Sequence, residues 1–361
     1  MSVEKEEGIS KSSFDTAVQK SNALEADLNI NPHKHRVLTG DRPTGNLHIG
    51  HYFGSLQNRV RLQNLGVETY IVIADYQVLT DRDVFKDISK YVYELTLDYL
   101  ACGLDPEKFK THIFPHSHIP ELNQLLVPFL SLVSNAELSK NPTIKEEISA
   151  SGQNVINAGM YTYPVHQAAD ILFCKSDVIP VGKDQLPHIE LTSKIAKRFN
   201  KKFKARVFRE PVGLLSETPM ILGLDGGQKM SKSRNNTIMI KATEDETSKL
   251  IKKAKTDSER VITYDPENRP EVANLLMLTS LCSGDSPAKI AEEIGEQGAG
   301  KLKQMTAEAL NSQFSEIRKR RVELEKNEDY VRSILKDGIA NAREVAISTL
   351  EEVRQAMNMN I

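Results

Sequence analysis

The sequence predicts an α/β fold: a doubly wound parallel sheet joined to a mostly α-helical C-terminal domain. Three observations carry that expectation. Strand-like and helix-like patterns alternate up to about residue 242, which calls for parallel strands connected by helical crossovers. The first strand runs into a glycine-rich turn and an amphipathic helix, the layout of a loop that holds a phosphate at a helix start. From about Thr243 onward helical patterns dominate, broken by Gly-Asp-Ser-Pro and Gly-Ala-Gly.

The elements follow in order. Residues 1–33 form a polar, weakly periodic extension closed by the turn signal "NINPHK". "RVLTG" reads as a short strand, and "IGHYFGSLQNRVRLQNLG" as a helix stopped at Gly66. "TYIVIAD" is a buried apolar strand. "VFKDISKYVYELTLDYLACG" is a helix ending at Gly103, and "THIFPHS" a third strand. Helical stretches run to about Ala150. "YPVHQAADILF" is a helix, "DVIPVG" a strand and "KDQLPHIELTSKIAKRFN" a further helix. The expected division is therefore an extension (1–33), a catalytic sheet domain (34–242) and a helical domain (243–361) whose last helix packs back on the sheet.

Composition narrows the class. Hydrophobic residues make up 39% and charged residues 27%, with a net charge of −2, as expected of a globular protein with no global sign of a nucleic-acid partner. No run of 18 apolar residues exists, so no membrane partner is expected. The start "MSVEKEEGISKSSF" has no apolar signal core and carries Glu4, Glu6 and Glu7, which predicts a cytoplasmic location. Cys102, Cys174 and Cys282 lie far apart with no Cys-x-x-Cys pair. All three read as small core residues.

Two short stretches carry chemistry. In "LTGDRPTGNLHIGHYFGSLQNR", His48 and His51 stand at i and i+3, so a helix would put them on one face. In "GGQKMSKSRNNT", Lys229 and Lys232 flank a glycine- and asparagine-bounded loop bearing Ser231 and Ser233. Mobile lysines can follow a polyphosphate whose charge moves during reaction. Taken alone, the loop also reads as an ordinary solvated basic segment.

Together, His48-Ile49-Gly50-His51 and Lys229-Met230-Ser231-Lys232-Ser233 resemble the two signatures of class I aminoacyl-tRNA synthetases, in the right order and separation. The resemblance implies a Rossmann-like catalytic domain and a reaction in which an amino-acid carboxylate attacks the α-phosphorus of ATP. His48, His51, Lys229 and Lys232 would be catalytic, with Mg2+ sharing the phosphate charge. ATP would also meet Thr39, Gly40, Arg42 and Gly50, where the backbone leaves room for adenine. Lys145, Gly182 and Asp184 would serve phosphates and ribose, and Met230, Ser231 and Ser233 complete the loop's contacts. For Lys145 a solvated helix face stays open as the alternative.

The stretch from Gly159 to Asn200, with Tyr-Pro, Ala-Ala-Asp-Ile-Leu, Val-Gly-x-Asp-Gln and His-Ile-Glu-Leu-Thr, is similar to the tryptophanyl-tRNA synthetases. The resemblance runs from about Val37 to the C-terminus and includes "TDSERVITYDPENRPEVANLL". It implies that L-tryptophan is activated and passed to tRNA(Trp), and that the chain forms a homodimer. An indole offers one N–H donor on a large apolar face. Asp170 matches the position that accepts this N–H, although it could instead brace its own helix. Tyr163 and Gln185 match residues that grip the α-ammonium, and Gln167 joins the substrate set. Gln77 stands where a histidine is common, and Gln77 and Asp75 are open between pocket and structural roles.

Local charge fits an RNA partner. "KIAKRFNKKFKARVFR" carries eight basic and no acidic residues, and "IRKRR" is a second cluster in the helical domain. Phosphate contacts from such patches supply affinity, though solubility alone would also explain them. His112, His116 and His118 read as a polar strand edge, so no metal site is expected. Two other activities fit the residues less well: a tyrosyl-tRNA synthetase, and a nucleotidyltransferase-superfamily adenylyltransferase without tRNA. The helical C-terminal domain argues against the latter.

Overall fold

A computed structural model describes residues 11–80, 87–145, 157–215, 221–231 and 234–360. Five parallel strands form one sheet in the order β3-β2-β1-β4-β5. They are β1 (Arg36–Asp41), β2 (Glu68–Ile73), β3 (Thr111–Pro115), β4 (Val178–Val181) and β5 (Val212–Leu215). The fifth strand escaped the sequence reading. Four residues, "VGLL", between Pro211 and a polar segment are too short to show a period.

β2 is buried from Thr69 to Ile73 and carries the apolar run that a parallel sheet requires, while β1 buries Val37, Leu38 and Thr39. Gly40 lets the two strands meet, because a Cβ there would lie 1.8 Å from the Val72 carbonyl oxygen. After β1 the chain turns at Gly45, whose φ of 118° suits glycine. It then enters the helical run α2: Ile49–His51, a π-helical turn Tyr52–Leu56, and Gln57–Asn64. Such π turns inside helices are frequent at functional sites. The crossovers on the sheet are α3 (Ile88–Ala101), α4 (Ala158–Phe173) and α5 (Leu186–Phe203).

The polar extension is largely one helix, α1 (Lys11–Ile30), laid against β5. Leu28 is fully buried with Val37, Leu62, Val178 and Leu214, and the Leu215 N–H donates to Ser21 Oγ at 2.9 Å. Arg61 reaches Glu25 with both terminal nitrogens, at 2.6 and 3.0 Å. α1 thus shields an edge strand that would otherwise be open to pairing.

The helical part comprises α6 (Glu244–Lys253), α7 (Pro270–Ser283), α8 (Pro287–Ile294), α9 (Gly298–Glu325) and α10 (Glu328–Ala356). α10 returns to the sheet: Gly338 rests on the Ile113 backbone, where a Cβ would come within 2.0 Å of its oxygen. Ala342, Ala346, Leu350 and Val353 follow along the same face into the core around Phe114 and Phe173. Cys102 and Cys174 are buried, while Cys282 is only partly so. This qualifies the core reading for that residue, although burial still pushes its thiol up to about 12.

The "IRKRR" cluster needs a correction. Arg321 is buried, not presented to a partner. Its guanidinium holds Asp98 of α3 at 2.8 Å and also reaches Glu94 and Glu325. Asp98 in turn accepts the Leu47 N–H at 3.0 Å. This basic residue is a strut from the helical domain to the loop before His48.

Candidate active site

The chain order reverses between β1 and β4, and in such sheets ligands gather at the carboxyl ends of the strands beside that switch. Four loops leave those ends: after Asp41, after Ile73, after Pro115 and after Val181. Arg42, His48, Gly50 and His51, then Gln77, then Gly182, Asp184 and Gln185 lie on the first, second and fourth of them or on the helices they open, while Tyr163, Gln167 and Asp170 lie on α4 and the lysine loop follows β5.

His48 caps α2 and His51 is its third residue. The His48 N–H donates to His51 Nδ1 at 3.2 Å, and the ring centroids are 3.7 Å apart. The expected shared face is therefore formed by a cap and its reciprocal partner. Below them Asp41 accepts Arg59 at 2.6 Å and the Tyr99 hydroxyl at 2.7 Å. Burial alone would raise its carboxyl, but the Arg59 guanidinium outweighs burial and holds it at about 2.

The second signature comes to the first. Leu47–Ile49 lies antiparallel to Ile238–Ile240, with Ile49 N–H to the Ile238 carbonyl at 2.9 Å and Ile240 N–H to Leu47 at 3.0 Å. A Cβ on Gly50 would stand 3.7 Å from Met230 Cβ and 3.0 Å from the His48 ring. The lysine loop is pinned from below. Asn274 receives the Leu222 N–H at 3.0 Å and returns a bond to its carbonyl at 3.1 Å. Asn236 accepts the Ser231 N–H at 2.9 Å. Lys229 is exposed at the rim, while Lys232 and Ser233 lie outside the described residues.

At the ends of β2 and β3 a buried polar cluster surrounds Asp170, which projects from α4 with 3% of its side chain exposed. His116, fully buried, faces Asp170 Oδ1 with Nδ1 at 3.0 Å. The Tyr76 N–H donates to His116 Nε2 at 2.9 Å. The same N–H also reaches Asp75 Oδ1, at 3.2 Å, and its shorter contact calls for a lone pair on Nε2, which leaves Nδ1 as the donor to Asp170. Asp75 accepts the Ser117 N–H at 3.1 Å and also its hydroxyl. His116 is thus no polar strand edge: it is the brace of Asp170. Of its companions, His112 faces Glu68 at 3.5 Å.

Beyond β4, Gly182 adopts an extended backbone and opens the turn Lys183–Gln185. A Cβ at Gly182 would come 2.7 Å from Asp184 Oδ1. Gln185 Nε2 donates to Asp184 Oδ2 at 3.0 Å, and Thr143 donates to the Asp184 carbonyl at 3.2 Å. Tyr163, about two helical turns before Asp170 on α4, meets His188 Nε2 at 3.0 Å. Burial pulls the His188 imidazole down to about 4, so it is neutral near pH 7.

The other candidates lie on β1, on α4 and on the segments between elements. Thr39 is buried in β1 and Arg42 follows its end. Gln167 lies partly exposed on α4, between Tyr163 and Asp170. Lys145 is exposed beside the Asn141–Thr143 turn. Gln77 is partly buried, its carbonyl receiving the Thr80 hydroxyl at 2.7 Å. The residues that sequence reasoning passed over are His116, His166 and His188. One signal was available: His166 stands four residues before Asp170 on a helix, a spacing that puts the two on one face.

The first basic stretch is largely on the surface. Lys194, Lys197, Lys201, Lys202, Lys204, Arg206 and Arg209 are exposed. Arg198 instead clasps Glu137 at 2.9 and 2.6 Å. A depression of about 850 Å³ opens between Lys201, Arg206, Arg209 and Lys175.

Comparison with known proteins adds four findings. The family described as "tRNA synthetases class I (W and Y)" matches residues 31–315. The Tryptophan--tRNA ligase of Lactococcus lactis subsp. lactis is 42% identical over 339 residues, 91% of this chain and 98% of that protein. Among solved structures, the tryptophanyl-tRNA synthetase of Campylobacter jejuni complexed with ADP and tryptophan superposes with a TM-score of 0.77. It is 29% identical and covers 90% of this chain and 99% of its own. The tyrosyl-tRNA synthetase of Archaeoglobus fulgidus, complexed with L-tyrosine, shares the fold with a TM-score of 0.64 at 22% identity, covering 84% of this chain and 94% of its own.

Proposed function

Because the chain belongs to the class I tRNA synthetases of the tryptophan and tyrosine group, we propose that its cleft joins L-tryptophan to ATP and then to tRNA(Trp). The observation that carries this reading is the meeting of the two signature segments, Met230 beside Gly50, on the chain that leaves the carboxyl end of β1.

ATP enters as its Mg2+ complex, the ion carried on the phosphates. The tryptophan carboxylate attacks the α-phosphorus, pyrophosphate leaves, and tryptophanyl-adenylate remains. Little covalent chemistry falls to the protein, which must align the reactants and neutralise charge. His48 and His51 donate to phosphate oxygens as the bond forms. Lys229 and Lys232 follow the β- and γ-phosphates. Asp184, held by Gln185 and Thr143, takes a ribose hydroxyl. Tyr163 and Gln185 receive the α-ammonium, and Asp170 accepts the indole N–H. A ring lacking that donor would leave a buried carboxylate oxygen without its bond, which is a strong basis for rejecting phenylalanine.

The helical domain reads the anticodon, and the exposed lysines of α5 attract the RNA backbone. The protein works in the cytoplasm as a homodimer. Among the described residues no helix is long and apolar enough to cross a membrane.

Pyrophosphate exchange measured across the twenty amino acids tests the reading. Exchange confined to L-tryptophan is the expected result, and equal exchange with L-tyrosine overturns the substrate. Light scattering at micromolar concentration tests the dimer, which a monomer mass would refute.

A further inference from the structure

Three ligand-like atoms converge near Asp170: the Nδ1 or Nε2 nitrogens of His116 and His166 and a carboxylate oxygen lie within 4.8 Å of one another. A divalent cation is the obvious occupant, but the hydrogen bonds argue otherwise. The Tyr76 N–H holds the lone pair of His116 Nε2 at 2.9 Å, so Nδ1 keeps its proton and points it at Asp170 Oδ1. A metal ion on Nδ1 would require Nε2–H, set head-on against the Tyr76 N–H.

The other half of the cluster has the opposite polarity. Asn123 Nδ2 donates to the Ile119 carbonyl at 3.2 Å, which turns its Oδ1 toward His166. His166 Nε2 meets that oxygen at 2.7 Å and must be its N–H donor. The His166 proton is therefore spent on Asn123, and Nδ1 is a bare acceptor. It faces Asp170 Oδ2 at 4.0 Å, with 13% of the His166 side chain and 3% of Asp170 exposed. Two acceptors cannot bond each other, but one N–H lying between them can satisfy both.

We propose that His166 Nδ1 and Asp170 Oδ2 together form a two-acceptor clamp for the indole N–H, with His116 and Asn123 as the positioning residues that set their polarity. The proposal rests on the tryptophan reading above and adds to it a second acceptor. The clamp accepts a donor and refuses a ring without one on two counts. It also has a built-in acid limit. Protonated His166 would turn its new N–H on Asp170 Oδ2 and close the clamp on itself. The groups facing His166 are Asp170 on its own helix, His116 and Asp75 from the strand ends, with Tyr76 and Asn123 beside it. Burial, the largest of these influences, keeps the imidazole neutral at neutral pH by pulling it below its ordinary range.

The test uses the full chain, which contains no tryptophan, so bound L-tryptophan is read by its own fluorescence. Affinity and exchange KM are measured from pH 5 to 8 for L-tryptophan and for the benzothienyl analogue, in which sulfur replaces the N–H. The wild type should prefer tryptophan and lose that preference as the pH falls through the His166 transition. His166→Leu should cut the preference about two- to tenfold, the worth of one hydrogen bond, and abolish the acid limb. His166→Gln, which restores an acceptor, should recover much of the preference without the limb. Asn123→Asp should favour imidazolium and move the limb to higher pH. A limb and preference unmoved in His166→Leu overturn the clamp. So does an unmoved limb in Asn123→Asp, which decides the matter should the leucine variant fail to fold. Unchanged preference in Asp170→Asn would instead overturn the indole reading itself, a separate failure.

Discussion

Arg321→Ala removes the strut between the helical domain and the first signature. The guanidinium is 4% exposed and its partner Asp98 is fully buried. Loss of one partner from a buried ion pair leaves the other charge stranded, which costs about 3–5 kcal/mol. The neighbouring Glu94 is less enclosed, at 18%, and can turn to Lys241 at 3.6 Å, so the lower end, about 3 kcal/mol, is expected. The effect should reach the chemistry as well. Asp98 holds the Leu47 N–H with its second oxygen, and Leu47 precedes His48. A shifted Asp98 loosens the cap from which both histidines project. Urea unfolding followed by far-ultraviolet circular dichroism gives the stability change, and pyrophosphate exchange gives the rate. The expected pattern is a fall in kcat with an almost unchanged KM for tryptophan, since Asp98 touches the signature loop and not the Asp170 cluster. Combining Arg321→Ala with Asp98→Asn should cost less than the sum of the two, because the stranded charge is gone. A loss under about 1 kcal/mol with additive effects would refute the strut.

Lys232→Ala should slow activation about 100-fold or more while leaving tryptophan affinity nearly intact, as expected of a group that acts on transferring phosphates; stopped-flow adenylate formation separates the two. His188 makes stability depend on pH. Its folded value of about 4 lies below the ordinary 6.5, so the unfolded chain takes the proton first. Stability is whole above about pH 6.5 and falls by about 3 kcal/mol as the pH drops to 4. His188→Phe should flatten that part of the curve in denaturant titrations at stepped pH. Leu28→Ala should destabilise by about 2–4 kcal/mol by opening a cavity under α1, and a neutral result by the same titration would mean that α1 is not part of the core.

Much of the sheet was legible because apolar strands alternate with amphipathic helices, and both periods are local properties of the chain. β5 was not, because four residues hold too little pattern. The histidine and lysine signatures were legible as motifs. Their contact was not, since Gly50 and Met230 are joined only when Leu47–Ile49 pairs with Ile238–Ile240. Arg321 shows the same limit from the other side. In sequence it is one of four basic residues in a row, and nothing local distinguishes it from the exposed Lys319 and Arg320 beside it.

The chain alone determined the class of fold and the order of most of its elements, because both rest on periodicity along the backbone, while the residues assigned to a triphosphate and an indole came from resemblance to known signatures. The polarity of the Asp170 cluster was decided only in three dimensions. Whether His116 donates and His166 accepts depends on the Tyr76 amide and the Asn123 carboxamide. Those groups come from different elements, and a proton's position on an imidazole is set by whatever partner packing brings to its far side.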